Sequence, residues 1–151
     1  MSTLAFNTYG TPAPQGSKRG YVNRATGRVA LVESSAKVRP WREAVKYAAL
    51  DAMRTAGITC FDGPVEVHVT FGLAHPKYHY RSGAHAQQLR PNAPTWHAKK
   101  PDLDKLLRST LDALTDAGLI RDDAQIASVH ATKVYGPPGA RITIRDSDDP
   151  T

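Results

Sequence analysis

Six aspartates stand between residues 102 and 123, in the run KKPDLDKLLRSTLDALTDAGLIRDDAQI. Asp102 and Asp104 are two positions apart at the start of a helical pattern, where the chain is still partly extended, so both carboxylates can face one point. Inside a regular helix they would diverge by roughly 200°, given ~3.6 residues per turn. Asp122 and Asp123 come one helix later, after Gly118, on the approach to a strand. A helix of ~15 residues is ~22 Å long, so Asp123 reaches Asp102 only if the chain folds back alongside. The start of an antiparallel hairpin strand offers such a return. Asp102, Asp104 and Asp123 brought together make a hard-oxygen site for Mg²⁺, with Mn²⁺ as substitute and with water and phosphate oxygens in the remaining positions. Such an ion polarises a phosphodiester, lowers the pKa of an attacking water and steadies the leaving oxygen. That chemistry needs orientation and charge stabilisation, and no covalent nucleophile. Plainer roles compete, because Asp is an ordinary helix N-cap and an ordinary turn residue. Asp112 and Asp116, four apart within the helix, read as a solvated face.

The charge of the whole chain suits such a site. Residues 1–100 hold 14 Lys/Arg against 5 Asp/Glu, and residues 101–151 hold 6 against 9. A basic body with one acidic cluster is expected of a metal-dependent enzyme acting on a polyanion. The cations neutralise phosphates, while the carboxylates repel phosphate unless a cation sits between them. Asp146, Asp148 and Asp149 are set aside as an acidic, disordered tail over 146–151. The single Cys60 excludes an intramolecular disulfide and a multi-Cys zinc site, and suits a reducing cytoplasm. The first ten residues lack the charged and apolar regions of a signal peptide. No apolar run approaches the ~20 residues of a membrane span.

The elements that must position the aspartates are legible from periodicity. TLAFNTY alternates as a strand, GTPAPQGSKRG is a Gly/Pro/basic loop, and YVNRATGRVALV reads as a hairpin turning near Thr26 and Gly27. From Arg39 the pattern is helical, with Trp41, Val45, Ala48/Ala49 and Ala52/Met53 at three-to-four spacing, Pro40 in the first turn and Gly57 closing. VEVHVTFGL is a period-two strand. Residues 74–100 have no period and carry four of the six His, so they form a long mobile loop. A second helix spans about 103 to 117, with Leu103, Leu106/Leu107, Leu111 and Leu114 as its stripe and Gly118 ending it. AQIASVHATKVY, a turn at GPPG, and ARITIR read as a closing β-hairpin. The expected fold is one α+β domain over 1–151, with a mixed sheet of about four to six strands packed against two main helices.

KPDLDKLLRSTLDALTDAGLIRDDAQI resembles the core of the RusA family of Holliday junction resolvases, in which a PDxDN, helix, DALxxxG, xxxDDxQV pattern is typical. GTPAPQGSKR and KVRPWR also resemble phage-type members. DxD alone is a weak signal; DxD, DAL, a helix-ending Gly and DDAQ at this spacing are a strong one. The resemblance implies a homodimeric, Mg²⁺-dependent endonuclease that recognises four-way DNA junctions and nicks two strands symmetrically in a bacterial or phage-infected cell. By position, the family's metal carboxylates fall on Asp102, Asp104 and Asp123, with Asp122 as the neighbour in the DD pair. The family's catalytic lysine falls on Arg108, which keeps the charge but is a poor proton donor or acceptor. The Asn expected after the second Asp is Lys105, which stands where it can supply the missing amine.

The remaining candidates are cationic. Lys18, Arg19, Arg24 and Arg28 crowd the N-terminal loop and hairpin and suit phosphate contact. Trp41, between Arg39 and Arg42, reads as core. Lys77, Tyr78, His79, Tyr80, Arg81 and Arg90 interleave cations with aromatics, a mixture that suits backbone contact and stacking on unpaired bases. Lys99 and Lys100 precede Asp102 and are expected to hold scissile-strand phosphates. His75 and His79 lack the partners of a zinc site, His130 reads as structural, and Gln125 orients a phosphate or fixes its turn. No organic cofactor and no membrane partner are expected. Two other functions compete: a sugar-nucleotide transferase using DxD, for which the chain is short and lacks a βαβ run, and a catalytically dead branched-DNA-binding module.

Overall fold

The computed structural model describes residues 2–16, 19–32 and 36–147. Strand β4 (Val65–Leu73) sets the plan. Alternation puts Val65, Val67, Val69, Phe71 and Leu73 on one face, and all five are buried. Each such side chain contributes roughly 1.5–3 kcal/mol when fully removed from water. A strand this apolar is best shielded in a sheet interior, and β4 lies there. The four-stranded sheet has the order β1 (Thr3–Tyr9), β6 (Gly139–Asp146), β4, β5 (Ile126–Tyr135). β6 runs antiparallel to both β1 and β4, whereas β5 is parallel to β4. β2 (Arg19–Val22) and β3 (Val29–Val32) form a separate hairpin, as expected, with Gly27 in the left-handed region at φ 68°.

The closing hairpin is a correction. β5 and β6 do not pair, because β4 lies between them. Residues 136–138 therefore cross two strand spacings, about 10 Å, over the end of β4. Gly72 permits the crossing: a Cβ there would lie 2.2 Å from the Pro137 carbonyl oxygen. Gly136 N–H donates to the Leu73 carbonyl at 2.9 Å and seats the turn.

Helix α1 (Val38–Ala56) buries Val38, Trp41, Val45, Ala49 and Met53 and ends at Gly57, φ 70°. Helix α2 (Leu103–Asp116) buries Leu106, Ser109, Thr110, Ala113 and Leu114. Its buried hydroxyls are bonded: Ser109 Oγ donates to the Ala13 carbonyl at 2.7 Å, and Thr110 Oγ1 accepts from Trp41 Nε1 at 3.1 Å. Both helices share one core with the apolar face of the sheet. The opposite face carries His68, Thr70, Arg141 and Arg145, and no helix among the described residues covers it. β5 starts beside the C-terminal end of α2 and runs back along it, since Asp123 bonds to Thr115 and Lys133 bonds to Pro101.

Residues 74–100 are irregular but extensively bonded. They hold 3₁₀ turns at Lys77–His79 and Gly83–His85, a bridge between Tyr80 and Leu89, and another that lays Trp96 against Val134. Asp146 belongs to the sheet and accepts from Ser2 N–H at 2.9 Å; the rest of the expected tail, from 148, lies outside the described residues. No helix among the described residues is long and apolar enough to cross a membrane.

Candidate active site

The two ends of α2 hold the aspartates. At the N-terminal end Asp102 occupies the N-cap position with extended backbone, φ −70° and ψ 139°, but its side chain makes no capping bond. Its carbonyl accepts from Leu106 N–H at 3.1 Å, so the cap is made by the backbone alone. The Asp102 carboxylate stays half exposed, with Lys105 Nζ 3.6 Å away. Asp104 is exposed in the first turn, with no side-chain hydrogen bond or ion pair among the described residues. Two carboxylates at a helix N-terminus sit where the backbone N–H groups and the macrodipole favour negative charge.

At the other end, the carboxylates are engaged. Asp123 accepts from Thr115 Oγ1 and meets the carboxyl of Asp112. Burial pushes the Asp112 carboxyl above its usual range, and the hydrogen bond and charge of Asp123 add to this; Gln15 and Arg42 oppose it. Gln15 Nε2 donates to Asp112 at 2.8 Å, and Arg42 Nη2 pairs with Asp116 at 2.6 Å. Asp112 is therefore not a merely solvated charge, because the segment before β2 packs against that side of α2, whereas Asp116 stays exposed with one ion pair. Asp122 caps the 3₁₀ turn Asp123–Gln125, accepting from Ala124 N–H at 2.8 Å. Gln125 is a turn fastener: its Oε1 accepts from Arg121 and Asp122 N–H at 2.6 and 3.2 Å, and its Nε2 donates to the Phe61 and Gly63 carbonyls.

Asp102 and Asp104 both lie at the N-terminal end of α2, at the N-cap and in the first turn, whereas Asp123 lies against Thr115 and Asp112 farther along the helix. Thirteen residues of helix separate Asp102 from Thr115, about 20 Å. Among the described residues no three His, Cys, Asp or Glu side chains are grouped to hold a metal ion. The chain does fold back along α2, but the residue it returns to the Asp102 end is Lys133. Lys133 Nζ donates to the carbonyls of Lys99 and Pro101 at 2.7 and 2.8 Å. Sequence reasoning passed over this lysine, although a signal existed: it breaks the apolar alternation of Val129, Ala131 and Tyr135.

The expected cations are distributed unevenly. Lys99 donates to Tyr78 Oη at 2.6 Å, and that bond holds its ammonium above the usual lysine range. Lys100 and Lys105 are exposed beside the pair, and Arg108 is exposed one turn after Asp104. Arg24 and Arg28 are exposed in the β2–β3 turn; Lys77 lies in a 3₁₀ turn; Arg81 bonds Gln88 at 3.0 Å. Lys18 lies outside the described residues, and Arg19 is placed in β2 by its backbone.

Around Tyr135, at the end of β5, lies an imidazole cluster. His75 stacks on its ring at 4.6 Å, with His79 and His97 at 4.9 and 4.8 Å. The Nδ1 atoms of His75 and His79 are 2.9 Å apart, so one donates and one accepts. Burial, then the neighbouring His75 and Lys99, hold the His79 imidazole below its usual range; burial and Lys133 do the same at His97.

A mixed sheet backed by two helices, with paired carboxylates and flanking lysines at the mouth of one, is an α+β scaffold suited to phosphodiester chemistry. The family model for endodeoxyribonuclease RusA matches residues 12–145. The chain belongs to the RusA endodeoxyribonuclease family, a family of nucleases that act on branched DNA. A search of curated proteins finds no match.

Proposed function

We propose that this chain is a Mg²⁺-dependent, structure-selective endonuclease that resolves four-way DNA junctions by paired, symmetric nicks. The observation that carries this is the presence of Asp102 and Asp104 at the mouth of α2, with Lys105 3.6 Å from Asp102 and Lys99 and Lys100 just before it in the chain, in a chain of a DNA endonuclease family. The pair fits the ion's chemistry, because Mg²⁺ commonly takes one or two protein carboxylates and completes its shell with water and substrate phosphate oxygens. Mn²⁺ is the expected substitute. When bound, the ion supplies charge for the phosphodiester and a lowered pKa for the attacking water.

The chain's own side chains have separate tasks. Asp102 and Asp104 hold the ion. Lys99 and Lys100 hold the phosphates of the scissile strand, and Lys77, Arg81, Arg24, Arg28, Lys18 and Arg19 contact the arms. Lys105, rather than the fixed cation Arg108, is the amine able to exchange a proton, while Arg108 stabilises developing negative charge. Asp123, with Asp122 beside it, belongs to the proposal through the family resemblance. Within one chain its carboxyl meets Asp112, eight residues or about 12 Å of helix axis from Asp104, so direct service beside the pair calls for a second protomer or a movement of the turn that carries it.

Paired nicks need two sites, and a two-fold dimer supplies them; sedimentation of the active species as a strict monomer would contradict this part. The setting is the cytoplasm of a bacterial or phage-infected cell. The direct experiment incubates the protein with a labelled four-way junction in Mg²⁺ and in EDTA. Paired nicks near the crossover only with Mg²⁺ are expected. Binding without nicking favours the inactive module instead.

A further inference from the structure

We propose that Lys133 is a positioning residue for this site, a clamp on the segment that delivers Asp102 to the mouth of α2. The inference rests on the metal-nuclease reading above. The pairing Phe71–Lys133, between Val69–Ala131 and Leu73–Tyr135, puts the Lys133 side chain on the face of β5 that looks toward the helices. An ammonium turned toward that face and partly withdrawn from water is held by the acceptors it finds there. It has two, the carbonyls of Lys99 at 2.7 Å and Pro101 at 2.8 Å. The backbone of the same residue grips the segment again, its carbonyl accepting from His97 N–H at 3.2 Å.

One strand residue therefore holds three points of residues 97–101, and Asp102 follows immediately. Both acceptors are neutral carbonyls, and Lys133 has no ion pair with a carboxylate among the described residues, so its role is to hold the segment rather than to balance a charge. β5 is paired with β4 along its length, which makes the clamp's base a rigid one. Groups of this kind orient metal carboxylates without touching the ion, and their loss typically lowers metal affinity or activity by about 10–100-fold.

The test compares wild type, Lys133→Met and Lys133→Arg. Three quantities are measured: junction affinity in EDTA, cleavage rate at saturating junction across a Mg²⁺ titration, and Mn²⁺ binding without DNA from the electron paramagnetic resonance of the free ion. Lys133→Met is expected to keep junction affinity, to cleave about 100-fold more slowly and to bind Mn²⁺ about 10-fold more weakly. Lys133→Arg, which still donates to two carbonyls, recovers most of both losses. Wild-type cleavage and Mn²⁺ affinity in Lys133→Met overturn the clamp, as does a loss of junction binding that accounts for the loss of cleavage. If wild type binds junctions but does not cut, the nuclease reading fails, and the Mn²⁺ comparison still decides the clamp. Should Lys133→Met not fold, reductive methylation of wild type followed by mass spectrometry decides it. Lys133 is expected to react far more slowly than Lys77, Lys100 and Lys105, and equal reactivity overturns the proposal.

Discussion

The two ends of α2 carry the same kind of side chain in opposite states. At the N-terminal end, Asp102 and Asp104 have no capping bond, and their one close cation, Lys105, is 3.6 Å from Asp102. At the C-terminal end, Asp112 is bonded by Gln15, Asp116 by Arg42, Asp122 by a backbone N–H and Asp123 by Thr115. A carboxylate that already accepts from a protein donor has fewer lone pairs left for a cation. One left open at a helix N-terminus keeps its oxygens for a cation. The contrast makes the open end the proposed place for chemistry, a distinction that residue type alone does not draw.

The largest effect that can break this contrast is loss of a carboxylate charge at the open end. Asp102→Asn and Asp104→Asn should each lower cleavage by about 10³-fold or more, several kcal/mol of lost charge stabilisation. Junction affinity should be kept or improved, since a negative charge is removed from a polyanion's site. Asp112→Asn at the closed end should change cleavage by less than about tenfold by the same measure. Asp123→Asn is the informative intermediate. A loss as large as at Asp102 shows that Asp123 joins the open end in the active assembly, and a small loss assigns it to the closed end.

Smaller effects fall on stability. Gln125→Ala removes the four bonds that fasten the turn after α2 and should destabilise the fold by roughly 1–3 kcal/mol in denaturant unfolding. Its junction affinity should be unchanged. The Arg42–Asp116 pair matters less, because its carboxylate is exposed to solvent: Arg42→Ala should cost about 1 kcal/mol or less. The imidazole cluster adds a pH dependence. The folded chain holds His79 and His97 below their usual range, so the unfolded chain takes up protons first as pH falls below about 6.5. Their contribution is present above that pH and is lost as pH falls from there through the lowered folded values. The melting temperature should drop between pH 7.5 and 5.5, and His79→Phe should flatten the drop.

Much of this was legible in the sequence because it is local. The three-to-four spacing of Trp41, Val45 and Ala49, the alternation of β4 and the glycines at 27, 57 and 118 each fix an element from its own residues. The placement of Asp102 and Asp104 at the start of α2 was readable for the same reason, being a local helix-start pattern. The misreadings are all non-local. GPPG looks like a hairpin turn, and nothing in it says that β4 will lie between the strands it joins. Only Gly72, far along the chain, makes room for the crossing. Asp112 looked solvated because Gln15, which bonds it, comes from a distant segment. The fold-back that was expected to deliver Asp123 occurs one strand later and delivers Lys133, because β5 needs about seven residues at ~3.3 Å each to retrace the helix.

The most direct test is cleavage of a labelled four-way junction by wild type, Asp102→Asn and Asp104→Asn, each in Mg²⁺ and in EDTA. Paired nicks by wild type in Mg²⁺ alone, with both variants binding the junction but leaving it intact, are the predicted result. Cleavage that survives in either variant, or that persists in EDTA, contradicts a metal-dependent site at the mouth of α2.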